Sequence, residues 1–173
     1  MREWMPVSSS PKGRLALAAV ALFGVRPFDT VTVGELAAAA RVTTGALYHH
    51  FGSKLGLYTF VREDVERRLL DRMEGAAAAG GQRDRSAAVH AALLVGFDFA
   101  VREGFLHILG APPVGAEGDP LAEMLRAQTA PASPVLGDVL AATWRAALSA
   151  VAEGADPHEA RAALLALTVH IPS

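Results

Sequence analysis

The sequence contains no cysteine among its 173 residues. This absence excludes disulfide bonds, zinc sites built on cysteine and a thiol nucleophile. Hydrophobic residues make up 51% of the chain, which is enough to bury a core. The length allows one large domain, or a small domain followed by a medium one.

Long uninterrupted apolar runs are also missing, because charged residues, glycine or proline break every stretch of about 18 residues. We therefore expect neither a membrane span nor a signal peptide, and the sequence favours a cytoplasmic protein. Catalytic patterns are missing too. There is no Gly-rich phosphate loop, no nucleophile elbow and no helix with two histidines flanking a glutamate. Neither an enzyme nor a bound cofactor or metal is expected.

Strand signals are nearly absent, and apolar residues recur at helical spacing instead, which predicts an all-α protein. A break is expected at the Gly/Ala stretch 75–81, after a long helix that begins at Lys54. The predicted helices cover 11–26, 32–41, 44–50, 54–74, 86–103, 105–109, 120–129, 134–153 and 157–170.

Charge is distributed unevenly along the chain. Residues 1–60 carry six basic and three acidic side chains, whereas residues 61–173 carry ten basic and fifteen acidic ones. A mildly basic head on an acidic body is typical of a head that meets phosphate and a body that does not. The net charge of −2 for the whole chain does not by itself favour nucleic-acid binding.

Two short helices joined by a tight turn are predicted within residues 32–51. Thr32 and Glu35 have the spacing of a capping box that opens the first helix. Thr43 caps the second helix, and Leu47 and Phe51 form its inward pair at i and i+4. With the helix that precedes it, this pair forms a helix-turn-helix unit, whose second helix exposes small, polar and aromatic groups.

The sequence from Pro11 to Val65 resembles the N-terminal domain of the TetR family of regulators. The stretch from Gly45 to Lys54 is its most recognisable part. The matching residues are Leu22-Phe23, Phe28, Thr32-Val33, Leu36-Ala37, Ala40, Val42, Gly45-Ala46-Leu47-Tyr48, His50-Phe51, Ser53-Lys54 and Leu57.

The resemblance implies a ligand-responsive repressor with two domains. Residues 10–66 would form the three-helix DNA-binding domain, with its helix-turn-helix at 32–51. Residues 67–173 would form a helical domain for effector binding and dimerisation. The implied partner is a double-stranded, palindromic DNA operator.

The same resemblance assigns the DNA contacts. Those expected to touch phosphates, which set position, are Thr32, Tyr48, His50 and Lys54. Those expected to face bases, which set sequence preference, are Thr43, Thr44, Gly45, Ala46 and His49. Because long basic side chains are scarce on this face, we expect small-residue contacts and DNA shape to contribute to specificity.

Two departures from the family pattern leave an alternative open. Pro27 stands where the family usually has glycine, and proline cannot take a positive φ. Gly34 stands where a basic residue is frequent. The alternative is a small-molecule-binding or interaction protein with a degenerate DNA-binding head.

Several of these residues also have simpler interpretations. His49 and His50 could be metal ligands, although adjacent helical residues point about 100° apart and do not share a site easily. Tyr48 could belong to the core. Ser53 and Lys54 could be only a helix cap and a solvated charge.

Residues of the second half suggest a pocket for a small, mostly hydrophobic effector, because large apolar groups alternate with a few polar ones. The candidate residues are His90, Phe97, Arg102, His107 and Trp144. The alternative is a packed helical core with a few exposed polar groups.

Two Ala-rich apolar stripes mark the last two helices. The first comprises Leu136, Val139, Leu140, Thr143, Ala147, Leu148 and Val151; the second comprises Ala160, Ala163, Leu164, Leu167 and Ile171. By resemblance, these two helices form a four-helix bundle across the two-fold axis of a homodimer. The alternative is that both stripes complete the core of a monomer.

Overall fold

The computed structural model describes residues 9–79, 84–113, 118–130, 133–167, 169 and 171. Over these residues the chain forms nine α-helices, one 3-10 turn and no strand, so the predicted all-α class is confirmed. The helices are α1 (Pro11–Val25), α2 (Val33–Ala39), α3 (Thr44–Phe51), α4 (Lys54–Ala79), α5 (Arg85–Glu103), α6 (Leu106–Gly110), α7 (Pro120–Thr129), α8 (Pro134–Ala152) and α9 (Pro157–Leu165).

Side-chain caps define the starts of the first three helices. Ser10 accepts a hydrogen bond from the backbone N–H of Gly13 at 3.0 Å, and Pro11 occupies the first helical position. The predicted capping box of Thr32 and Glu35 is present. Thr43 accepts from the backbone N–H of Ala46 at 3.2 Å. Each cap satisfies a backbone donor that the first helical turn leaves free.

Pro27 is accommodated by a local change at the end of α1. The helix ends at Val25, Arg26 is extended, and Pro27 with φ −56° opens the 3-10 turn Phe28–Thr30. This φ is the one that the proline ring imposes. The turn is therefore built with the negative φ of proline and not with the positive φ that a glycine would allow.

Helix α4 does not stop at Gly75, so the predicted break there is wrong. The helix continues to Ala79, with Met73 and Ala77 buried in the core. One exposed glycine costs a helix only about 1 kcal/mol, and the alanines that follow it favour continuation. Gly80 and Gly81, the rest of the predicted break, lie outside the described residues.

The last helix is shorter than predicted. It ends at Leu165 rather than at His170, which lies outside the described residues. Val169 and Ile171 are buried in non-helical backbone, and the N–H of Ile171 donates to Ser86 Oγ at 3.2 Å. Docking of this segment on α5 replaces the last helical turn. Pro172 further disfavours helical backbone at Ile171.

The second half of the chain packs around α4, α5, α7 and α8. Trp144 on α8 is fully buried, and its indole N–H donates to the carbonyl of Leu93 on α5 at 3.0 Å. This bond satisfies the polar atom of the largest buried side chain and fixes α8 against α5.

One stretch of α8, Val135–Ala152, is long and apolar enough to cross a membrane by length and composition alone (mean hydropathy 1.3). In the fold this helix packs on α6, α7 and α9. Arg145, in its second half, donates two hydrogen bonds to Asp119, at 2.6 and 2.7 Å. These contacts hold one face of α8 against the other helices of the second half.

The head (α1–α3) contacts the second half of the chain at two glycines, Gly24 and Gly104. A Cβ on Gly24 would lie 2.3 Å from the carbonyl oxygen of Gly104, which is a backbone atom. Gly104 itself has a φ of +73°, in the left-handed region that favours glycine. Two glycines therefore allow α1 to lie directly on the turn between α5 and α6.

Replacing Gly24 with alanine is expected to destabilise the protein by about 1–3 kcal/mol, because two backbone segments must separate. Gly34→Ala is the matched control. Its Cβ would meet nothing closer than 3.9 Å, on an exposed helical position, so we expect a gain of about 0.5–1 kcal/mol. Urea unfolding at one protein concentration measures both. Equal effects of the two substitutions would contradict the close contact.

Candidate nucleic-acid interface

The second helix of the helix-turn-helix, α3, is held by its inner face. Leu47 is fully buried, and Phe51 is half-buried against Phe60 of α4, with ring centroids 5.2 Å apart. Gly52 ends the helix with a φ of +73°. The predicted anchors therefore orient α3 and leave its opposite face to solvent.

The outer face of α3 carries most of the residues expected to contact DNA. Tyr48 is 54% exposed, so its interpretation as a core residue is wrong. Ala46 and His50 are half-buried. Thr43, Thr44, Gly45 and His49 are exposed as well. The structure thus brings seven of the nine predicted residues to α3 and its N-cap; Thr32 caps α2, and Lys54 begins α4.

Packing inside the protein does not require glycine at position 45. Gly45 lies in the first turn of α3, where a Cβ would meet only Thr43 Oγ1 at 3.7 Å, which is an ordinary contact. Alanine would favour the helix by about 1 kcal/mol. The absent side chain instead leaves room for an external surface to approach the start of α3.

Thr32 is exposed, but its donors are already used. Its backbone N–H and its hydroxyl both donate to the Glu35 carboxylate, each at 2.8 Å. The Arg26 guanidinium, 2.7 Å from Glu35, and these Thr32 bonds lower the pKa of Glu35 to about 2. A phosphate at Thr32 must therefore compete with a carboxylate that stays charged.

Lys54 has a structural function at the head. Its ammonium donates to the carbonyls of Phe28 and Val31, at 3.0 and 2.9 Å, and lies 4.1 Å from the centroid of the Phe28 ring. An ammonium has three donors, so one is left for a phosphate. Ser53 caps α4 by accepting from the N–H of Gly56 at 2.9 Å.

Arg41 is a candidate contact that the sequence did not single out. It is exposed in the turn between α2 and α3, with a left-handed φ of 53°. Its guanidinium makes no hydrogen bond or ion pair with the described residues. In the sequence, the signal for Arg41 was only that a basic residue lies in the turn between the two short helices. The fold adds that its guanidinium has no partner among the described residues.

The described residues hold no group of three or more histidine, aspartate or glutamate side chains that is placed to bind a metal ion. The rings of His49 and His50 lie 4.9 Å apart, centroid to centroid, in an edge arrangement. The described part of the head therefore presents a helix-turn-helix whose exposed face is nearly uncharged.

Residues 16–59 match the family model of the bacterial regulatory proteins of the TetR family. Over these residues the chain is similar to the N-terminal part of that family. The matched residues include α2, α3 and the start of α4. The sequence has no significant match among curated proteins.

Solved structures of TetR-family regulators have the same fold along most of the chain. A regulator from Pectobacterium atrosepticum is 23% identical over 90% of this chain and 88% of its own, with a TM-score of 0.64. A regulator from Shewanella sp. PV-4 is 19% identical over 91% and 95%, with a TM-score of 0.65. A gamma-butyrolactone receptor is 22% identical over 90% and 84%, with a TM-score of 0.54.

Of the five residues predicted to bind an effector, Phe97 and Arg102 line one open pocket of about 570 Å³, and the other three lie elsewhere. Phe97 and Trp144 are buried core residues. His90 contacts the carbonyls of Ser86 and Leu167. Arg102 is exposed and pairs with Glu103 at 3.2 Å, and His107 lines a groove elsewhere, near the head. Effector binding by these residues stays a prediction.

A buried cluster of charges, which the sequence did not reveal, joins α4 to the rest of the second half. Arg62 on α4 is 4% exposed, and its guanidinium donates to the carbonyls of Ile108 and Ala111, at 2.6 and 2.8 Å. One turn later, Glu66 lies 3.7 Å from it. Arginine and glutamate four residues apart on a helix normally indicate a solvated face.

The cluster extends to the start of α7 and to α8. The paired side chains of Asp119 and Arg145 provide a second, partly buried ion pair beside Glu66. Burial raises the pKa of Glu66, and the charges of Arg62 and Arg145 offset part of this rise. Charges withdrawn from water are tolerated only where such partners exist.

Replacing Glu66 with glutamine is expected to change how stability depends on pH. Because the folded state raises the pKa of this carboxyl above 4.5, it binds the proton more tightly than the unfolded chain does. Its contribution is therefore complete below pH 4.5 and declines as pH rises through the folded pKa. Relative to wild type, Glu66→Gln should gain stability as pH rises from 4 towards 7.

Denaturant unfolding at several pH values measures this difference. Glu63→Gln, an exposed position on the same helix, is the control. If both variants follow the same pH dependence, the buried carboxyl does not contribute as described.

Proposed function

We propose that this protein is a sequence-specific DNA-binding transcriptional regulator that acts as a dimer. The observation that carries the proposal is α3, which is anchored by Leu47 and presents Thr44, Tyr48 and His49 to solvent. The TetR-family match of the same segment supports it. In a dimer, two such helices would enter successive major grooves about 34–36 Å apart on a palindromic operator.

The contacts would divide between phosphate and base edges. Tyr48, His50 and the free donor of Lys54 are suited to phosphates, and Arg41 adds an uncommitted charge beside them. Phosphate contacts set register and make binding sensitive to salt. The base-facing set comprises Thr43, Thr44, Gly45, Ala46 and His49.

Exposed apolar residues on α8 support dimerisation. Only a third of the stretch Val135–Ala152 is buried in the fold. Val135 and Val139 are 64% and 52% exposed, and Ala142 and Ala146 continue their line at spacings of three and four. Residues at this spacing line up along one side of a helix, where a second helix can pack. We call these four residues the apolar seam. On α9, Leu165 is 56% exposed.

The seam differs from the stripes that the sequence suggested. In the first stripe, Leu140 and Leu148 are buried in the protomer core, and only Val139 is exposed. In the second, Ala160 and Leu164 are buried as well. Most of the predicted positions therefore complete the core of the protomer, and neighbouring positions are free for a second copy.

Regulation would follow from a ligand that binds the second half and prefers one spacing of the two heads. Release of DNA on ligand binding makes the protein a repressor, which is the mode we propose. One structure of the same fold is that of a gamma-butyrolactone receptor, which supports a response to a small, mostly apolar molecule.

The alternative function, a binding protein with a degenerate DNA-binding head, loses support, because Pro27 fits the 3-10 turn with its preferred φ.

Selection from random double-stranded DNA should yield a palindromic site, and variants of α3 should separate the two kinds of contact. Tyr48→Phe removes one hydroxyl, and we expect about tenfold weaker binding to every sequence. His49→Ala should instead change the ranking of single-base variants of the site, by about 1–3 kcal/mol. Electrophoretic mobility shifts at several salt concentrations measure both effects.

His158→Ala, an exposed histidine on α9, is the matched control and should bind as wild type does. The proposal fails if the selection yields no preferred site, or if the variants of α3 bind every sequence as well as the control.

Val139→Asp should convert the dimer into a monomer, because a charge would be placed in the centre of the apolar seam. Val95→Asp, at a 39% exposed valine of α5, is the control and should leave the dimer intact. Sedimentation velocity distinguishes the two states. A dimer that withstands Val139→Asp would place the interface elsewhere.

A further inference from the structure

A groove lies where the head meets the second half of the chain. We call it the junction groove; its volume is about 310 Å³. Pro27 is the wall contributed by the head, and the ends of α6 and α8 form the remainder. The lining residues are Pro27, Leu106, His107, Gly110, Ala111, Ser149, Ala152 and Glu153. Small-molecule sites in proteins begin at about this size.

The walls are mainly apolar, but two polar side chains are available. His107 is half-buried and makes no hydrogen bond with the described residues. The hydroxyl of Ser149 reaches only the carbonyl of Gly110, at a long 3.5 Å. A few free polar groups in an apolar setting are typical of a ligand site, because they orient a molecule that the walls hold.

The charge of the groove is negative. Glu153 is exposed at the C-terminal cap of α8, where the helix macrodipole already presents negative charge. A glutamate there is unfavourable to the helix itself, so helix stability does not explain it. Among the described lining residues, only His107 can carry a positive charge.

The nearest buried cation does not reverse this balance. Arg62 approaches the groove from behind α6, where its guanidinium donates to the carbonyl of Ala111. Its charge is matched by Glu66, and one terminal nitrogen donates to Ile108 and Tyr58, whereas its Nε–H has no partner among the described residues. The carboxylate of Glu153 has no such partner among the described residues.

We propose that the junction groove binds a small apolar molecule that carries a positive charge. The apolar part lies on Leu106, Ala111 and Ala152, and the cationic group lies at Glu153. This assignment names a site and a ligand class for the regulation proposed above, and its effect on transcription rests on that proposed function.

Occupancy would act directly on the head. Pro27 moves with α1, and Gly24 lies against Gly104 one turn away. A molecule between Pro27 and the ends of α6 and α8 favours one position of the head over another. Such a ligand shifts the equilibrium only by its difference in affinity for the two positions.

Three probes of similar shape test the ligand class with the full-length protein. They are 3-phenylpropylammonium, the neutral 3-phenylpropanol and the anionic 3-phenylpropanoate, each titrated calorimetrically. We expect the affinity to fall in that order. Equal binding of the three probes, or no binding of the ammonium compound, would overturn the proposal.

Variants locate the site. Ala152→Leu fills the groove and should abolish binding of the ammonium probe, whereas Ala78→Leu, on the exposed side of α4, should not. Glu153→Gln should weaken binding two- to fivefold, about the effect of one exposed ion pair. Glu159→Gln, exposed on α9, is its control. If the probe binds Ala152→Leu as well as wild type, it does not occupy this groove.

The two proposals fail separately. If a DNA site is selected but the ammonium probe does not bind, only the junction groove is refuted. If the probe binds at the groove but no DNA sequence is preferred, the proposed function is refuted and the binding site stands. If both hold, the probe must change DNA affinity in wild type and not in Ala152→Leu; an unchanged affinity refutes the regulatory effect.

Discussion

Tyr58 and Arg62 lie one turn apart on α4 and join the two parts of the molecule. The ring of Tyr58 packs edge-on against Phe23 and Phe28 of the head, with centroids 5.1 and 4.9 Å away. The guanidinium of Arg62 donates to the hydroxyl of Tyr58 at 3.2 Å and to the end of α6. Within one turn of α4, this pair therefore fixes both the head and the end of α6 to the same helix.

Charged side chains beside that pair are buried, which costs free energy unless each charge has a partner. Two arginines and two carboxylates, from α4, the start of α7 and α8, pair with one another in a region that is mostly buried. Removing a single partner from such a cluster leaves an unpaired buried charge, which is far more costly than losing a surface pair. Arg62 also donates to the carbonyls of Ile108 and Ala111, so the cluster holds the end of α6 against α4.

The head could be predicted closely because its signals are local. Thr32 with Glu35, and Thr43 with Ala46, are caps that lie within three residues. The effector residues could not be predicted, since a pocket is formed by side chains distant in sequence. His90 on α5 and His107 on α6 line different surfaces, and nothing in the sequence around either histidine indicates which surface it faces.

The sequence by itself determined the all-α class, the caps of the head and the helix-turn-helix, because helical periodicity and capping act within a few residues. Tertiary structure decided that α4 continues through Gly75, because burial of Met73 and Ala77 outweighs one glycine. It also decided that Arg62 and Glu66 are buried rather than solvated, and that Val139 rather than Leu140 faces outward. Those outcomes depend on which helix covers each face, and the spacing of residues along one helix carries no information about its neighbours.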